Sequence, residues 1–182
     1  MPQPTFAAPN APSRPLHVVT PEGLAGFLAA QPDLADWLRG TGFKADAGEV
    51  RLIPGDGGVM AAVAGLGNAK AQARGRFAMA RAAAALPGGA WHLAGDLSAA
   101  DRDEAALGFL LQSYRFDRYR PGKTAPDLVL LKAPDGVDAA RLLAMAEGEF
   151  LTRDLINTPA ADMGPAELEA AFLSLAERFG AS

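Results

Sequence analysis

Four sets of side chains in this sequence have the types that chemistry needs. Gly65-Leu66-Gly67-Asn68 stands ahead of an alanine-rich stretch of high helix propensity. Free amides at a helix start attract phosphate, so Gly65, Gly67 and Asn68 form a candidate ligand loop. The loop lacks the third glycine of a dinucleotide fingerprint and the Gly-Lys-Ser/Thr of a P-loop, which favours a plain strand-to-helix joint. Asp101, Asp103 and Glu104 have the composition of an acid–base set, yet a place at the start of a helix already explains them through the helix dipole. His17 and His92 sit by strand-like segments with no second ligand at metal spacing and no His-Glu-x-x-His helix, so they are expected as core or edge histidines. Arg74, Arg76, Arg81, Arg115, Arg118 and Arg120 interleave with Tyr114, Phe116 and Tyr119, the makings of a nucleic-acid face. Asp117 and the acidic balance of the chain favour a solvated or subunit-contact face instead.

That balance is 17 basic against 21 acidic residues, a net charge of -4, which gives no global reason to expect nucleic acid or an anionic membrane as partner. With no cysteine, disulfides, thiolate metal sites and a cysteine nucleophile are excluded. There is no basic and apolar leader, and no apolar run approaches the roughly 18 residues of a membrane span, so a cytoplasmic, soluble chain is the expectation. At 182 residues, 49% hydrophobic and 21% charged, one globular domain with a helical extension is expected.

The elements that must position these groups follow from pattern. Residues 1–15 hold five prolines and are expected as a flexible arm. Leu16 to Thr20 reads as a strand. Thr20-Pro21-Glu22 predicts a helix from Pro21, and Pro32-Asp33 a second one whose Leu34, Trp37 and Leu38 should bury Trp37. Glu49–Ile53 and Val59–Ala64 are predicted to pair as an antiparallel hairpin across Pro54-Gly55-Asp56-Gly57-Gly58. Ala69 to Leu86 is predicted as one helix, stopped by Pro87-Gly88-Gly89. A strand over Ala90–Ala94 precedes a helix that Ser98 and Asp101 cap and that buries Leu107, Leu110 and Leu111. Asp127–Lys132, after Pro126, is a further strand. A long helix from Val137 to about Ile156 carries the pair Glu149 and Arg153 and ends at Thr158-Pro159. A last helix from Pro165 lines up Leu168, Phe172, Leu175 and Phe179 in a stripe with no evident partner, for which self-association is the expected substitute. Strands alternating with helices, plus a hairpin, make this an α/β fold with a three-layer mixed sheet and flanking helices.

Phe150 to Ala171, FLTRDLINTPAADMGPAELEAA, resembles the interdomain linker of the leucyl (cytosol) aminopeptidase family, with Arg153, Asn157, Pro159, Met163 and Pro165 on its pattern. LGFLLQSYRFDRYR at Leu107 to Arg120 resembles that family's helix ending in Tyr, Phe and Tyr, and Val63-Ala64-Gly65-Leu66-Gly67 its glycine turn. The resemblance implies a macro-domain-like N-terminal lobe over residues 16–134. Residues 135–182 would then be the linker helix and the first helix of a catalytic domain that this chain does not carry. It further implies a homo-oligomeric, often hexameric enzyme that removes N-terminal amino acids from peptides with two divalent metals, zinc or manganese. The family's metal motifs, around Asp-Thr-Gly-Gly and Asn-Thr-Asp-Ala-Glu-Gly-Arg, do not occur here. No catalytic or metal residue carries over, so the chain alone is expected to be inactive. Its lobe would serve oligomerisation or access to the active site, with the catalytic domain of the same polypeptide as partner. The alternative is a macro-like module binding a nucleotide or ADP-ribose at the Gly65 loop, or an interaction domain using the arginine face.

Overall fold

The computed structural model describes residues 3–119 and 127–181. Met1 and Pro2 of the expected arm, Arg120 and Pro126 lie outside them. Five strands form one sheet in the order β2-β3-β1-β4-β5: β1 is Arg14–Val19, β2 Val50–Gly55, β3 Gly58–Gly65, β4 Gly89–Ala94 and β5 Val129–Leu131. β1 is central and runs parallel to β3 and β4, β5 is parallel to β4, and only the edge strand β2 is antiparallel. The expected hairpin is therefore present. Its ladder runs past the predicted ends to Gly55 opposite Gly58, and a bulge between Ile53 and Pro54 leaves Asp56-Gly57 as a two-residue tip.

Alternation along the central strands builds two cores. Leu16 and Val18 of β1, with Ala62 and Ala64 of β3, face a cluster completed by α4 (Ala78–Ala85), α5 (Ala99–Gln112) and α6 (Ala139–Asn157). Val19, Ala61, Val63 and Ile53 point the other way, onto α1 (Leu24–Ala30) and α2 (Pro32–Gly40). This is the three-layer arrangement expected. Trp91, fully buried, anchors the larger core: Arg14 lies 4.2 Å from its ring centroid and Pro87 accepts its indole N–H at 3.1 Å.

Several elements differ from expectation. The first helix begins at Leu24, not Pro21, because residues 21–23 form a turn whose Gly23 amide donates to Thr20 Oγ1. Trp37 is 45% exposed: in α2 it is Ala35 and Leu38 that meet the sheet, and a step of about 100° per residue carries Trp37 onto the shoulder. The alanine-rich stretch breaks into α3 (Ala69–Arg74) and α4. Phe77 sits in the left-handed region at φ 60°, an uncommon state for a bulky residue. It is held there from outside the segment, by Glu104, which accepts the Phe77 amide at 2.9 Å and pairs with Arg76 at 3.0 Å. Leu111 is half-buried rather than buried. The strand expected over Asp127–Lys132 is confined to β5, and the arm is seated on it: Ala7 is buried, bridges Lys132 and donates its amide to the Leu131 carbonyl at 2.9 Å.

α6 packs on α5 through Leu142, Ala146 and Phe150. α7 (Pro165–Phe179), the predicted last helix, buries no residue. Its stripe is divided. Leu175 and the still largely exposed Phe179 line a groove of about 520 Å³ shared with Leu143 and Leu151 of α6 and bordered by the ion pair of Arg178 and Glu147, whereas Phe172 stands 64% exposed outside it.

Candidate functional site

Two of the three segments that resemble the family's signatures, those from Leu107 and from Phe150, meet at the junction of α5, α6 and the linker. Along α6 the inward positions recur every fourth residue as Leu142, Ala146, Phe150 and Asp154, so a carboxylate takes the place of the last apolar side chain. Asp154 is 8% exposed, and burying it requires a donor. Tyr114, two residues beyond α5, supplies one: its hydroxyl donates to Asp154 Oδ1 at 3.0 Å and accepts from Asn157 Nδ2 at 3.0 Å. Burial, followed by the contact with Asp154, raises the Tyr114 phenol above its ordinary range, so it stays the donor. Its ring meets Phe150 edge-on at 5.1 Å and Arg153 at 5.4 Å.

Arg153 closes the same joint. It pairs with Glu149 at 2.9 Å, as predicted, and donates to the Leu111 carbonyl at 3.2 Å. Further along, Tyr119 donates to Asp162 Oδ2 at 2.5 Å, a contact that raises the Tyr119 phenol. Thr158 donates its hydroxyl to the Asp154 carbonyl at 2.6 Å as α6 ends. Tyr114 was visible in one segment, and Arg153 and Asn157 in another. Their partner Asp154 was missed, although an acid in register with an apolar stripe was the available signal.

The Gly65 loop is built differently from an open anion cradle. The Gly65 amide donates to Glu49 O, Leu66 to Val19 O and Gly67 to Ala45 O, so all three are used within the fold. A Cβ on Gly65 would come within 2.1 Å of the Asp46 carbonyl oxygen, which explains glycine there as a close backbone crossing. Gly67, at φ 79°, makes the turn, and Asn68 caps α3 by accepting from Ala71.

Residues 14–134 match the model of the M17 aminopeptidase N-terminal domain. The chain belongs to the M17 aminopeptidase family. A probable cytosol aminopeptidase of Rhodococcus jostii is 32% identical over 151 residues, covering 74% of this chain and 30% of the relative. One from Rhizobium rhizogenes is 38% identical over 90 residues, 42% of this chain and 18% of the relative. Among solved structures, the cytosol aminopeptidase from Coxiella burnetii superposes with a TM-score of 0.80 at 30% identity, covering 97% of this chain and 38% of that one. A tomato leucine aminopeptidase shares the fold, with a TM-score of 0.71 at 20% identity. The chain thus spans less than half the length of each of these proteins.

Within this M17 N-terminal domain the remaining candidates disperse. Asp101 accepts from the Ser98 hydroxyl at 2.6 Å, Asp103 pairs with Arg141 at 2.9 Å, and Glu104 holds Arg76 and Phe77, so the three acids face three different partners. Ser98 caps α5 as predicted, accepting from the Asp101 amide. Of the arginines, Arg76 and Arg115 are paired with acids, Arg81 donates to the Ala47 carbonyl and Arg118 lies over Tyr119. His17 packs on Phe27 at 5.4 Å, and burial, then the proximity of His92, lowers its pKa. His92 shares a hydrogen bond of 3.0 Å with Ser13. Among the described residues no group of three or more His, Asp or Glu side chains is placed to hold a metal ion. These residues therefore do not fit a metallo-aminopeptidase's metal centre. No described helix is long and apolar enough to cross a membrane.

Proposed function

We propose that this chain is the non-catalytic lobe of a cytoplasmic leucyl aminopeptidase that releases N-terminal amino acids from peptides. In this reading the lobe serves oligomerisation or access to the active site. The two divalent metals, zinc or manganese, and the peptide-binding groups belong to a catalytic domain of the same polypeptide. The observation that carries it is the junction at Asp154: Tyr114, Arg153 and Asn157 fasten the linker helix to the lobe, and α7 follows with Phe172 and Leu173 exposed. A firm root and an open apolar face are what a second domain needs to be held in a set orientation.

The test is an assay of the purified chain with leucine p-nitroanilide and zinc, manganese or cobalt. No turnover is expected, since metal-assisted hydrolysis needs several carboxylates converging on metals about 3.5 to 4 Å apart. Metal-dependent turnover that co-elutes with the chain and is abolished by substituting one of its residues would overturn the reading.

A further inference from the structure

We propose that Asp56-Gly57, the tip of the β2–β3 hairpin, is a covalent modification site at which aspartate converts to isoaspartate without an enzyme. The Gly57 nitrogen attacks Cγ of the Asp56 carboxylic acid, and an N–C bond closes a five-membered imide. The amide hydrogen and the carboxyl OH leave together as one water. Water then adds to the main-chain carbonyl carbon of Asp56, and the bond from that carbon to the Gly57 nitrogen breaks. The chain now runs through Cβ and Cγ, one backbone atom longer, and the former main-chain carbonyl is a free carboxylate. Water is released once and taken up once, so composition is unchanged and no oxidant or reductant is needed.

The hairpin tip favours this step over the rest of the chain. Glycine puts no side chain beside the attacking nitrogen, and a Cβ built on Gly57 would meet nothing within 4 Å. Asp56 and Gly57 are both exposed, and among the described residues Asp56 enters no ion pair. The tip is also weakly held. Pro54, opposite Val59, has no amide to give the ladder, and a bulge separates it from Ile53. Neither Asp56 nor Gly57 has a positive φ, so the tip is not the primed turn that matches the twist of the strands. An exposed end held in this way opens at little cost, which gives Asp56 the backbone rotation that ring closure needs. Asp135-Gly136 is the other Asp-Gly pair of the sequence. Its carboxylate shares a cleft with Arg102 and Lys132, and ring closure would discard the negative charge that these cations attract.

The site owes nothing to the aminopeptidase reading and is tested on the whole chain. The folded protein is incubated in 18O-water at neutral pH and physiological temperature, then digested with trypsin in ordinary water. Electron-transfer fragmentation distinguishes isoaspartate from aspartate in the peptides Leu52–Lys70 and Ala133–Arg141, and the isolated peptide Leu52–Lys70 supplies the rate without the fold. Isoaspartate is expected at residue 56, carrying one 18O from the ring-opening water and accumulating faster than at residue 135. Asp56→Glu, whose ring would have six members, should lose the conversion, and Gly57→Val should slow it several-fold. No isoaspartate at residue 56 of the folded chain while the isolated peptide converts, isoaspartate without 18O, or accumulation no faster than at Asp135 would overturn the proposal.

Discussion

α5 and α7 are nearly equal in length, 14 and 15 residues, and both begin on an acid-assisted start, Ser98 with Asp101 in one and Glu167 accepting from Gly164 in the other. Both carry apolar residues at helical spacing. α5 buries Ala105, Ala106, Leu107, Gly108, Phe109 and Leu110 between α4, α6 and the sheet; α7 buries nothing. Their periodicity states that each helix requires a partner and is silent on where that partner lies. Chain order decides it: α5 follows an interior strand and must cross the sheet, while α7 follows the linker and lies along the outer side of α6, at Leu175 and the pair of Arg178 with Glu147.

The largest effect that sharpens this comparison is in α5. Leu110→Ala is expected to cost about 2–5 kcal/mol in urea unfolding, the range for deleting a fully packed leucine. A cost below about 1 kcal/mol would mean that α5 is as loosely held as α7. At the joint between the two regions, Tyr114→Phe strips Asp154 of its donor. A loss of about 1–3 kcal/mol is expected, with faster amide exchange over residues 151–158, as for any buried acceptor left unpaired. Unchanged exchange would show that the linker is held by packing alone.

Acidification acts on the opposite face of the sheet. His17 titrates below its ordinary 6.5 because burial disfavours its charged form, so the folded state binds fewer protons than the unfolded one just below that value. Stability is then full above pH 6.5 and declines as pH falls from there toward the lowered folded value. The expected sign is a melting temperature that drops over this window and drops less in His17→Phe; an unaltered pH profile in that variant would remove His17 as the cause. The smallest effect is Phe172→Ala in α7, expected within about 0.5 kcal/mol of the parent because the ring is 64% exposed. Phe172→Asp tests the expected self-association instead: sedimentation should change from concentration-dependent to monomeric, and a parent chain that is monomeric at high concentration would show that this face has no second copy as its partner.

What was legible in the sequence was local or periodic. The hairpin came from its turn residues, Ser98 from its capping pattern, and α6 from the helical spacing of its apolar residues. What was not legible depended on contacts between distant segments. Nothing within the alanine-rich stretch forecasts a left-handed Phe77, since Glu104, 27 residues on, holds its amide. Trp37 belongs to a helix whose burial depends on how it rolls on Val19 and Val63, which spacing alone leaves undetermined. For the site, Tyr114 was visible in one signature and Arg153 with Asn157 in another, but the acid they gather round is recognisable only once α6 is known to lie on α5.

The seat taken by Ala7 has a consequence for how the sheet ends. β2 closes one side with a twisted, bulged hairpin; β5 is short, carries Leu128 exposed beside it, and would otherwise offer unpaired amides and carbonyls to any passing strand. Such an edge is a template on which chains stack into aggregates, and proline is a common means of blunting it because it cannot donate to a ladder. With Ala7 bonded to Leu131 and Pro4, Pro9 and Pro12 on either side of it, this segment meets the edge at Ala7 without being able to propagate it. A segment too rich in proline to fold by itself is thereby fitted to keep this protein from polymerising.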